Sequence, residues 1–234
     1  MKKVYKLQVD SDLFNEWKLV LSEKENKRLS VIDSIDSNER IFLKEEERIK
    51  FFLINIQSDK SLRKEKPFQS DILQWTDDIT LGAFKASDGV IISEKMKNII
   101  EKYLLPNHYF YPLDIINSET LETRDDYYLF QVLGNKNDLT NFKESEYEYI
   151  PRRSKEVIKT QKGGFNNYEE YSQEYDRLFF NDRIKLNITS RIIETKKDII
   201  PGYSNNLFIS EVLFKEIKNI VGIVSEEQKD LFLK

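Results

Sequence analysis

Apolar positions along this chain follow two patterns, short β-branched runs and stripes at helical spacing, and in two places one leads into the other across a single serine. In Asp88-Gly89-Val90-Ile91-Ile92-Ser93-Glu94, the run Val90–Ile92 reads as a buried strand. Ser93 is placed to accept from the first unpaired helical amides, and Glu94 sits where the helix dipole favours an anion. Behind the cap, Met96, Ile99, Ile100 and Tyr103 share one helical face, so the helix is expected to fold back onto its own strand. The plan recurs at Asn206-Leu207-Phe208-Ile209-Ser210-Glu211, with Ser210 as cap and Leu213, Ile217 and Ile220 as the inward stripe. Two strand-Ser-helix units therefore predict an internally related pair of elements in one core.

The rest of the chain reads as strands with few helices. Tyr5, Leu7 and Val9 alternate with Lys6 and Gln8, which suits an opening strand. Leu13, Phe14, Trp17, Val20 and Leu21 fall at helical spacing after an acidic start and predict a helix. Residues 23–50 are highly charged and predict a solvated connection with one or two short strands, and 58–66 predicts a hinge or loop tip. Phe51–Ile56 is apolar enough for a central strand. Tyr109–Ile116 reads as an aromatic strand in which Pro112 marks an edge or a bulge. Tyr127–Leu133 is another strand, ended by the turn composition Gly134–Asp138. Residues 141–176 predict exposed loops, and Phe179-Phe180, Ile184–Ile188 and Arg191–Glu194 predict strands of a hairpin-like array.

Strands following one another, with helices interspersed irregularly, predict an α+β fold: a mixed, largely antiparallel sheet with packed helices. The length of 234 residues supports a sizeable core. We expect one domain over 1–234, with room for an N-terminal lobe (1–66) ahead of a main body (67–234).

Composition narrows the function classes. Lys+Arg 37 against Asp+Glu 41 gives a net charge of −4, without the concentrated basic excess of a general nucleic-acid binder. The absence of cysteine excludes disulfides and thiolate metal sites. No apolar leader or membrane-length run is present in the sequence, so a soluble, cytoplasmic, bacterial-style protein is expected. We treat the sequon Asn187-Ile188-Thr189 as a chance match.

Candidate chemistry is sparse. His108 is the sole histidine, which excludes a histidine-rich metal site and suits a packing role. Ile192-Ile193-Glu194-Thr195-Lys196, with Asp182 upstream, could in principle hold a hard divalent cation on two carboxylates while the lysine orients water. Glu-x-Lys recurs throughout so charged a chain, and a solvated strand end accounts for it without chemistry. Gly163-Gly164 lacks the following Lys-Ser of a phosphate loop and reads as a turn. No cofactor motif is evident. For partner binding the suggestive segment is 165–176: on a helix Tyr168, Tyr171 and Tyr175 share a face, and Glu169, Glu170, Glu174 and Asp176 supply negative charge. The competing reading places those tyrosines on the core and the acids in water. Trp75 with Asp77 and Asp78 forms a weaker patch, open to the equally simple reading of a buried tryptophan beside an acidic turn.

Several of these pieces together resemble the immunity-protein families of bacterial polymorphic toxin systems. The resemblance is carried by Pro67 with Asp71-Ile72, the step Ile91-Ile92-Ser93-Glu94, the strand Tyr109-Phe110-Tyr111-Pro112-Leu113, and the strand beginning Tyr127-Tyr128. It covers about 67–133 and, more loosely, the second unit. It implies a cytoplasmic protein without catalytic residues or cofactor, whose partner is a cognate toxin rather than nucleic acid or membrane. The resemblance supplies no contact positions; the interface offered for such a partner is the one read from the residues, Tyr168, Glu170, Tyr171, Glu174 and Tyr175, with Trp75, Asp77 and Asp78. A metal-dependent nuclease using Asp182, Glu194 and Lys196 is the alternative.

Overall fold

The computed structural model describes residues 2–9, 17–21, 48–55, 72–73, 88–134, 136–154, 156–202, 207–220 and 223–234. They form an α+β fold of two mixed sheets and three α-helices. The six-stranded sheet has the order β2 (Trp17–Leu21), β3 (Ile49–Asn55), β6 (His108–Asn117), β7 (Thr123–Val132), β5 (Asp88–Ser93), β4 (Ile72–Leu73). The seven-stranded sheet has the order β11 (Ile199–Pro201), β12 (Leu207–Ser210), β1 (Lys2–Val9), β13 (Ile223–Leu233), β10 (Ile184–Ile193), β8 (Glu146–Pro151), β9 (Lys159–Lys162). Neighbours are antiparallel except for the pairs β3 with β6 and β10 with β13. The strands within the first 66 residues are divided between the sheets, β1 in one and β2 and β3 in the other.

Both strand-Ser-helix units form as their patterns predict. Helix α1 (Glu94–Ile100) follows β5, and the Ser93 hydroxyl accepts from Met96 N–H at 3.2 Å. Helix α3 (Glu211–Ile217) follows β12, and Ser210 accepts from Leu213 N–H at 3.3 Å. Met96 and Ile100 from α1, with Leu213, Ile217 and Ile220 from the second unit, enter one core with Val90, Ile92, Phe130 and Val132 of the first sheet and Leu7, Leu207 and Ile209 of the second. That shared core joins the sheets, because no one of these faces is buried by its own sheet alone.

A polar clasp reinforces the joint. The Ser210 hydroxyl donates to Asp198 at 2.7 Å, and the other Asp198 carboxylate oxygen accepts from Leu104 N–H, just past α1, at 3.1 Å. Asp198 N–H donates to the Leu104 carbonyl at 2.8 Å. Ser210→Ala is expected to lower stability by about 1 kcal/mol through loss of the cap. Asp198→Ala should cost more, since it removes the support of one unit's cap and a tie to the other unit; urea denaturation of both variants checks the order.

Three expectations change. The helical stripe through Trp17, Val20 and Leu21 is not a helix there: Trp17–Leu21 is strand β2, paired with β3 from Phe51 to Asn55. The run Leu19-Val20-Leu21 suits a strand as well, and a long-range ladder overrides local periodicity. Residues 141–176 hold β8, β9 and helix α2 (Tyr168–Arg177) rather than loops alone. Phe179 and Phe180 lie in a π-helical turn, Leu178–Asp182, and the remaining hairpin segments are one continuous strand, β10. The charged connection expected over 23–50 lies outside the described residues up to 47, and its last two residues, Ile49 and Lys50, open β3; Leu13, Phe14 and 58–66 also lie outside the described residues. Pro112 behaves as its chemistry requires: β3 begins pairing at Leu113, and a register irregularity follows between Leu113 and Ile115.

Candidate partner-binding surface

Helix α2 is set by its first turn. Asn167 caps it, accepting from Glu170 N–H at 2.9 Å, while the Glu170 carboxylate reaches back to Asn166 N–H at 2.8 Å and to the Asn166 side-chain amide. This is a reciprocal capping arrangement that satisfies orphan donors at the helix start. The chain is delivered to that cap by Gly163 and Gly164, at φ +66° and +112°, a turn that belongs to the scaffold.

The helix lies on an aromatic cluster of Phe142, Tyr147, Tyr149, Phe165, Leu178 and Leu186. Tyr171 and Tyr175 are half-buried and pressed against it, as are Ile184 and Ile188 of β10. Tyr171 meets Phe165 edge-on at 5.6 Å between centroids, and Tyr175 stacks on Phe179 at 5.7 Å. Below them Tyr147 is buried and donates to the Phe142 carbonyl at 2.9 Å; burial pushes its phenol pKa up. Two of the three candidate tyrosines thus form the base of the helix rather than its outer face. Tyr168 differs, at 45% exposure.

The acids divide in the same way. Glu174 is bound by Arg177 through two contacts, at 2.7 and 2.8 Å, and Arg177 also reaches Asp182 at 2.7 Å. Glu169, Gln173 and Asp176 recur at i, i+4 and i+7 and face solvent, with Gln173 donating to Glu169 at 3.3 Å. The solvent-facing stripe is therefore Glu169, Gln173 and Asp176; Tyr168 flanks it, half exposed while its ring still reaches Phe142 at 6.3 Å and Tyr171 at 6.4 Å between centroids, and Phe180, just past the helix, is 71% exposed. Phe180 was missed by pattern reading. The signal was the Phe179-Phe180 doublet: Phe179 takes the stack with Tyr175 and lies 4.2 Å under the Arg152 guanidinium, and its neighbour meets it edge-on from outside. Trp75, Asp77 and Asp78 lie outside the described residues.

Hydrogen bonds from Asn166 hold the Glu170 carboxyl below its ordinary pKa, and Arg177 does the same for Glu174. A lowered folded pKa means stability that is present above the unfolded value and lost as pH falls through the folded one. Unfolding followed at pH 7 and near pH 3 should show α2 weakened in acid, and Glu170→Gln should reduce that pH dependence.

The residues of the nuclease alternative are not brought together. Asp182 precedes β10 and Glu194 follows it, so the ten-residue strand separates them by ~30 Å at about 3.3 Å per residue. Asp182 is held by Arg177, and Glu194 by the Asn141 amide at 2.9 Å and Lys234 at 3.3 Å, which lower its carboxyl pKa. Lys196 is exposed. Among the described residues no three His, Cys, Asp or Glu side chains converge as a metal site. His108 donates from Nδ1 to the Pro106 carbonyl at 2.8 Å and packs edge-on against Phe110 and Phe130. No helix among the described residues is long and apolar enough to cross a membrane.

No protein-family model matches the sequence, and no curated protein matches it.

Proposed function

We propose that this chain is a cytoplasmic immunity protein that binds and neutralises a cognate bacterial toxin by stoichiometric complex formation, without catalysis. The observation that supports this reading is the division of labour in α2: Tyr171 and Tyr175 anchor the helix, leaving Glu169, Gln173 and Asp176 on its solvent face with the half-exposed Tyr168 at the edge of that face. A rigid aromatic contact costs little rotamer entropy on binding, and exposed carboxylates steer a basic partner surface toward it. Phe180 extends the face with apolar area. Glu174 belongs to this reading as the residue that fixes Arg177, and Tyr171 and Tyr175 as the base that holds the helix in place.

The test is protection. Co-expression with the product of the adjacent open reading frame should rescue growth, and the two proteins should co-elute at fixed stoichiometry. The double reversal Glu169→Lys with Asp176→Lys should weaken association by about 10-fold or more, chiefly in the on-rate, with unchanged thermal stability. A neighbouring product that is harmless, or one that is harmful yet forms no complex, would discard the proposal.

A further inference from the structure

The two sheets repeat one another strand for strand. From β4 the first runs antiparallel to β5, antiparallel to β7, antiparallel to β6, parallel to β3 and antiparallel to β2. From β11 the second runs antiparallel to β12, antiparallel to β1, antiparallel to β13, parallel to β10 and antiparallel to β8, with β9 added at the edge. The correspondence is therefore β4 with β11, β5 with β12, β6 with β13, β3 with β10, β2 with β8, and β7 with β1. The helices α1 and α3 follow the matched strands β5 and β12, each with a serine cap.

Register makes the match residue-specific. Tyr127, Tyr128, Leu129 and Phe130 lie opposite Ser93, Ile92, Ile91 and Val90, and Val4, Tyr5, Lys6 and Leu7 lie opposite Ser210, Ile209, Phe208 and Leu207. On the other side, Tyr127 to Val132 pair with Leu113 to His108, and Val4 to Val9 pair with Gln228 to Ile223. A register irregularity falls at the same place in both, just N-terminal to Tyr127 and to Val4. The aligned segments Val4–Val9 and Tyr127–Val132 share Tyr5 with Tyr128, Gln8 with Gln131 and Val9 with Val132.

One strand breaks the order. The six-stranded sheet is built wholly from 17–132, and the seven-stranded sheet takes β8 to β13 from 146–233 but β1 from 2–9. In the first unit, β6 turns into β7 through residues 118–122; in the second, β13 ends with Leu233 paired to Lys2, so the two matched strands come from opposite ends of the sequence. We infer that the chain is a circularly permuted tandem duplication, in which residues 2–9 are the closing strand of the second unit and occupy a strand-binding slot between β12 and β13. The slot selects by side chain on both faces: Val4 enters the cluster of Ile193, Ile200, Phe208, Leu231 and Leu233, while Leu7 enters the core shared with α1 and α3. Tyr5 stacks on Phe214 of α3 at 3.9 Å. The ligand class is an extended peptide with this apolar spacing, recognised by strand addition on two edges at once.

A circular permutant tests the inference on the whole chain. Lys234 is joined to Lys2 through Ser-Glu-Thr-Leu-Glu, the loop between β6 and β7, and new termini are opened between Val9 and Trp17. The permutant should fold cooperatively with its melting temperature within about 5 °C of the parent. Failure to fold with any joining loop of about four to eight residues would overturn the inference. A second measurement starts from the folded parent carrying a protease site between Val9 and Trp17. After cleavage, the N-terminal segment should stay bound and exchange one-for-one with a labelled copy of residues 2–9, but not with a copy carrying Val4→Asp and Leu7→Asp. Release of the segment with no loss of thermal stability would equally overturn it.

Discussion

Replacing Leu213 by alanine is expected to lower the unfolding free energy by about 3–4 kcal/mol, within the usual range for a buried leucine truncated in a core that cannot collapse around the void. Leu213 is fully buried and sits where α3 meets the core common to both sheets. The loss should appear as one cooperative transition shifted in midpoint, because apolar groups from β1, β5, β7, β12 and both capped helices share that core. Two separate transitions in urea, followed by tryptophan fluorescence and far-UV circular dichroism, would show instead that the sheets are independently stable. Val212→Ala is the control: its side chain is 56% exposed, and it should change stability by no more than about 0.5 kcal/mol.

Gly163→Ala is expected to cost about 2–4 kcal/mol, from left-handed backbone strain of roughly 1–2 kcal/mol and a steric clash on top of it. At φ +66° the added Cβ would lie 2.5 Å from the Lys143 carbonyl oxygen, and backbone cannot swing aside as a side chain would. The turn has little slack. Gly163 N–H donates to the carbonyl of Ser145 at 2.8 Å, while the buried Ser145 hydroxyl donates to the Asn141 carbonyl and accepts from Ile192 N–H. Because Phe165 and the α2 cap follow at once, the same change should disturb the outer face of the helix. Differential scanning calorimetry gives the stability loss, and proteolysis after Tyr168 or Tyr171 reports the loosening; unchanged values for both would mean that the loop accommodates the methyl group by moving away from Lys143.

The proposed interface and the fold differ in how far residues alone could place them. A helix carrying Tyr168, Tyr171 and Tyr175 on one side was readable from spacing, since that periodicity needs only local geometry. Which tyrosine is left half exposed was not. That depends on where Phe142, Tyr147 and Phe165 arrive from other segments, and on the π-helical turn that shifts Phe179 inward and Phe180 outward. The acids followed the same rule. Glu170 and Glu174 look alike in sequence, yet one closes a helix start on Asn166 and the other fixes Arg177.

Local chemistry by itself determined the two serine-capped helices, the buried strands leading into them, the proline-marked irregularity in β6 and the α+β class, because each follows from interactions within a few residues or from an alternation that only one burial state satisfies. Tertiary structure decided that Trp17–Leu21 is a strand, that Asp182 and Glu194 are kept at opposite ends of β10, and that residues 2–9 close a sheet built otherwise from the far end of the chain. Those outcomes rest on pairing between segments distant in sequence, whose energy comes from ladders and shared apolar faces, and no local pattern encodes which distant edge will be the one filled.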